Sequence, residues 1–90
     1  MTIYEKADEL IYNSGLFSLL NKYGDTFIVG SYRTKMMTWN DLDFYIDNSK
    51  FCPSQYYNLV GNVLNKMKPF HFDGLFNIEK NLTFIGLETN

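Results

Sequence analysis

Two carboxylates one residue apart, Asp41 and Asp43, carry the strongest chemical signal in the chain. They open the run Asp41-Leu42-Asp43-Phe44-Tyr45-Ile46, whose alternation of polar and apolar residues is that of a half-buried strand. Successive strand side chains point to opposite faces, so both carboxylates share one face with their Cα atoms roughly 6.5–7 Å apart. Leu42 and Phe44 point the other way, toward a core. Two close carboxylates without a counter-charge repel, and one is pushed toward protonation. A divalent cation removes that conflict, and an all-oxygen ligand set favours Mg²⁺ or Mn²⁺ over zinc. Upstream, the apolar run Phe27-Ile28-Val29 ends at Gly30-Ser31. Gly30 lets a backbone approach a ligand closely. The Ser31 hydroxyl and the amides after it can hold a phosphate, with Arg33 and Lys35 bringing positive charge to the same region. The chemistry is that of a nucleotide-phosphate and metal site. The bland alternatives are a solvated strand face for Asp-apolar-Asp and a plain turn for Gly-Ser.

The pattern Val29-Gly30-Ser31, nine intervening residues, then Asp41-Leu42-Asp43-Phe44 resembles the nucleotidyltransferase superfamily, built like the palm of DNA polymerase β. It looks most like the small bacterial proteins related to lincosamide-modifying nucleotidyltransferases, with Met36-Met37 where those carry a Leu-Met-like pair. The resemblance implies that Gly30 and Ser31 hold a triphosphate and that Asp41 and Asp43 bind the metal pair of a phosphoryl transfer. The implied reaction moves a nucleoside monophosphate from NTP·Mg²⁺ to a hydroxyl on a small-molecule or protein acceptor. Lys35 stands where the family usually has another Gly, and Asn40 where it often has Ser or a basic residue. The family also expects a third carboxylate on a later strand. In the lincosamide-type proteins it follows a segment resembling Leu82-Thr83-Phe84-Ile85-Gly86-Leu87-Glu88, which would put it beyond Asn90. Asp73, Glu79 and Glu88 are the carboxylates left as substitutes.

The elements that must position these residues follow from periodicity and punctuation. Met1 to Tyr23 reads as a helix, capped by Thr2 with Glu5 three residues on and interrupted at Asn13-Ser14-Gly15. Thr26 to Gly30 is nearly all apolar and reads as a buried strand. Ser31 to Thr38 is a turn or short helix, Met36 and Met37 being core fillers. Trp39 is either buried or offers a ring to a base. Asp41 to Ile46 is the second strand, ended by Asp47-Asn48-Ser49. Pro53 to Lys68 is a helix with Tyr56, Leu59, Val60, Val63, Leu64 and Met67 as its apolar stripe. Phe70 to Glu79 reads as a strand, with a break signalled at Asp73-Gly74, and Leu82 to Leu87 pairs back on it as a hairpin. His71 shares a face with Asp73; acid-base work is one reading and an ordinary surface histidine the more common one.

The expected fold is therefore α+β: a mixed β-sheet with helices packed on one face, in the order α-β-β-α-β-β. Ninety residues make one small domain, burying about 60–65% of its unfolded surface. A net charge of −2 gives no electrostatic case for general nucleic-acid binding. The lone Cys52 rules out an intrachain disulfide and a zinc cluster, favours a reducing compartment, and reads as a buried or inert thiol. No signal peptide or membrane-spanning run stands out, so the cytoplasm is the expected location. A sheet ending at residue 87 leaves an edge strand for a second copy or a partner protein. The competing function is a non-catalytic interaction module, or half of a two-protein system, using that edge. Between the two stands a relative that binds nucleotide without turnover.

Overall fold

The computed structural model describes residues 2–30, 32 and 41–89. The chain opens with the expected capping box. Glu5 N–H donates to Thr2 Oγ1 and Thr2 N–H to Glu5 Oε1, each at 3.1 Å, which satisfies two amides that helix α1 (Ile3–Asp8) cannot bond internally. A π-helical segment, Glu9–Asn13, continues it. Ser14 and Gly15 (φ +87°) break the helix before α2 (Leu16–Asn21). Ala7, Ile11, Leu16 and Leu20 are fully buried. Their spacing stretches by one residue between Ile11 and Leu16, across the break, which keeps both halves facing the core.

The remaining elements are β1 (Thr26–Val29), β2 (Asp41–Asp47), α3 (Pro53–Met67), β3 (His71–Asn77) and β4 (Leu82–Glu88). Pro53 opens α3 where its missing N–H costs nothing. Leu59 and Val63 are buried and Tyr56, Val60 and Met67 half-buried, but Leu64 falls on the solvent side. Lys68 adopts the left-handed conformation (φ +46°) and its N–H donates to the Leu64 carbonyl, which ends the helix one residue before the expected stop. Lys66 Nζ donates to the Ser14 carbonyl at 3.0 Å, tying the end of α3 to the break between α1 and α2.

The fold is α+β, as expected, but its sheet is antiparallel throughout rather than mixed. The strand order is β1-β2-β4-β3. A crossover helix such as α3 commonly joins adjacent parallel strands. β2 and β3 do run parallel, each being antiparallel to β4, but β4 lies between them and they never pair. Two further expectations change with this order. β4 is a central strand, not an edge. β1 is an edge strand rather than a buried one, and its Phe27 is 55% exposed. β3 passes through Asp73-Gly74 without a break, because the Tyr56 hydroxyl of α3 packs into the space a Cβ on Gly74 would fill.

Leu42, Phe44 and Ile46 of β2 and Thr83, Ile85 and Leu87 of β4 form the sheet's half of the core, against the helices. Phe51 seals one end, its ring 5.8 Å from Tyr23 and 5.7 Å from Phe76. Asn48 locks the exit of β2. Its Nδ2 donates to Thr83 Oγ1 at 2.9 Å and its N–H to the Asn81 carbonyl at 2.9 Å, so a buried polar side chain binds one loop to β4 and its turn. Among the described residues no helix is long and apolar enough to cross a membrane.

Candidate functional site on the open face of the sheet

Residues directly opposite one another in a sheet share a face, so the pairing register determines what the uncovered face presents. One row crosses all four strands as Phe27, Tyr45, Phe84 and Leu75. The next is Val29, Asp43, Gly86 and Asp73. The third is Asp41, Glu88 and His71. The face is thus aromatic across its middle and acidic toward one end, and no lysine or arginine stands in the two acidic rows.

Asp41 and Asp43 occupy one face, as their spacing predicts, and both are half-buried. Asp43 lies in a gap made by two glycines. A Cβ on Gly30 would collide with Asp43 Oδ2, and a Cβ on Gly86 would stand 3.0 Å from Asp43 Oδ1. Gly30 also has φ +75°, the left-handed region where side chains are strained. Glycine at position 30 is therefore needed twice, for its backbone angle and for the carboxylate beside it. Ser31, Arg33 and Lys35, the other expected phosphate contacts, lie outside the described residues, as do Met36, Met37 and Trp39. Tyr32, just past Gly30, donates its hydroxyl to Asp8 Oδ1, and this bond, with burial, pushes its pKa up to about 12.

The register sorts the three substitute carboxylates. Glu88 pairs with Asp41, and Asp73 stands in the Asp43 row across Gly86. Glu79 lies in the β3–β4 turn, at the other end of the strands, and takes no part. The signal for Glu88 was present: Leu82, Phe84, Gly86 and Glu88 alternate with the core residues Thr83, Ile85 and Leu87. Only pairing with β2, however, places Glu88 beside Asp41. Burial raises the pKa of Asp43, and the charges of Asp41, Asp73 and Glu88 raise it further. His71 is paired with Asp73, Nε2 to Oδ2 at 3.0 Å, and that bond and charge raise its pKa. Cys52 is exposed rather than buried, and hydrogen bonds from Ser54 and the Gln55 amide lower its pKa.

Among the described residues, no three His, Cys, Asp or Glu side chains converge tightly enough to enclose a metal ion by themselves. Mg²⁺ keeps several waters and takes one or two carboxylates plus substrate phosphates, and Asp41 and Asp43 on one face are the pair such an ion would use. The electrostatics fit too, since a half-buried carboxylate stands among three others with no cation in its row. Comparison of the chain with models of protein families, with curated proteins and with solved structures finds no match.

Proposed function

We propose that the chain is a nucleotidyltransferase-like protein that binds NTP·Mg²⁺ on the open face of its sheet and passes a nucleoside monophosphate to a hydroxyl acceptor. The observation that carries this reading is the placement of Gly30 against the Asp43 carboxylate, with Asp41 on the same face. It brings Gly30, from the first half of the Gly-Ser…Asp-Leu-Asp pattern, against Asp43 from the second. Asp41 and Asp43 would hold the cation, which supplies charge neutralisation for the phosphates when bound. The acceptor oxygen attacks the α-phosphorus, the bond from that phosphorus to the bridging oxygen breaks, and pyrophosphate leaves. Glu88, which pairs with Asp41, would take the acceptor's proton.

The test is calorimetric titration with Mg²⁺ and a non-hydrolysable ATP analogue. Metal-dependent binding is expected in the wild type and lost in Asp41→Asn/Asp43→Asn. Absence of metal-dependent binding in the wild type, or its survival in the double variant, would overturn the reading.

A further inference from the structure

Among the described residues the sheet ends at β1 and at β3, and β3 is the longer edge. The Asn48 N–H to Asn81 carbonyl bond sets the phase of the β2–β4 ladder, so residues 81, 83, 85 and 87 bond toward β2. Residues 82, 84, 86 and 88 then bond toward β3 at Asn77, Leu75, Asp73 and His71. The N–H and C=O groups of Phe72, Gly74 and Phe76 therefore face outward, with no partner strand among the described residues. Natural edges are usually blunted by charged side chains, lysine above all, by proline or by a bulge. His71 to Asn77 has no lysine or proline, its one carboxylate, Asp73, is paired with His71 on the open face, and its register against β4 is uninterrupted. Exposed apolar side chains accompany it, with Leu75 58% and Ile78 70% exposed.

We propose that β3 pairs antiparallel with β3 of a second copy of this chain, about a twofold axis at Gly74. The strand's own sequence is self-complementary in this register. Gly74 meets the partner subunit's Gly74, and Phe72 meets the partner subunit's Phe76. All seven strand residues overlap, and the outward groups of Phe72, Gly74 and Phe76 close six backbone hydrogen bonds. Shifting the axis to Asp73 would set that carboxylate against its own copy, which is unfavourable. In the Gly74 register Asp73 instead faces the partner subunit's Leu75, in the pair type whose side chains approach most closely. The acidic end of each open face then borders the apolar row of the other, so the partner contributes to the site. The arrangement is isologous and closes at two copies. It does not depend on the transferase reading.

Leu75 gives the test, because it is exposed and its replacement leaves the core intact. Leu75→Asp sets two carboxylate pairs across the axis, and Leu75→Lys sets two ion pairs there. Sedimentation equilibrium should show a concentration-dependent dimer for the wild type, over about 1 to 300 micromolar given the small contact. Dimerisation should be roughly tenfold weaker in Leu75→Asp and stronger in Leu75→Lys. Hydrogen exchange should protect the Phe72, Gly74 and Phe76 amides only as the dimer forms. A wild type that stays monomeric, a dimer indifferent to the charge at residue 75, or amides that gain no protection would each overturn the proposal.

Discussion

Replacing Gly30 with alanine probes the contact on which the site depends. Two costs add. An L-residue at φ +75° pays about 1–2 kcal/mol for the left-handed conformation. The new methyl also lands on Asp43 Oδ2, with Asp43 Cγ at 3.2 Å and Cβ at 3.3 Å. Forcing extra volume into such a contact costs about 1–3 kcal/mol. Gly30→Ala should therefore lower the unfolding free energy by about 2–5 kcal/mol. In an Asp43→Ala background the obstructing carboxylate is gone, and the same change should cost only about 1–2 kcal/mol. Urea unfolding of the four proteins, followed by far-ultraviolet circular dichroism, gives the coupling directly. It should be about 1–3 kcal/mol. Costs that add to within about 0.5 kcal/mol would refute the contact between Gly30 and Asp43, and with it the geometry offered for the site.

Two other expectations follow from the same structure. Asp43 holds its proton more tightly folded than unfolded, so its contribution to stability is full below the unfolded pKa of 3.8 and is lost as pH rises through the folded value. Asp43→Asn should gain stability relative to the wild type as pH rises above 3.8 in thermal melts, and a difference independent of pH would count against this. Asn48→Ala should cost about 1–3 kcal/mol in urea unfolding, because it strands the buried Thr83 hydroxyl. Adding Thr83→Val should recover part of that loss; a double variant whose losses simply add would contradict the hydrogen bond.

Much of the local structure was legible in the sequence. Thr2 and Glu5 announced a helix start, Asn13-Ser14-Gly15 a break, and the alternation of β2 placed Asp41 and Asp43 together. These features depend on neighbours a few residues away. Strand order does not. An apolar tetrapeptide such as Phe27-Ile28-Val29 reads as buried because nothing local reveals that the sheet ends beside it. Glu88 illustrates the same limit at the site: its face was readable, but its partner Asp41 lies 47 positions away in the chain. Gly30 was singled out as a place for close approach to a ligand. The group found against it belongs to the protein's own Asp43.

The placement of β4 between β2 and β3 bears on how the chain acquires its structure. While a ribosome has delivered only the first 80 residues, β2 and β3 have no shared neighbour, and the backbone groups they will offer to Leu82–Glu88 remain in water. Helices can form early from local contacts, but two of the three ladders of the sheet wait for the last strand to emerge. The β3–β4 ladder is a local hairpin, but the β2–β4 ladder joins residues far apart in sequence and closes correspondingly slowly. During that interval the nascent chain leaves a slot one strand wide, bordered by the unpaired backbone groups of Leu42, Phe44 and Ile46. A chaperone that shields apolar strands would find its binding site there, and lose it when β4 is inserted.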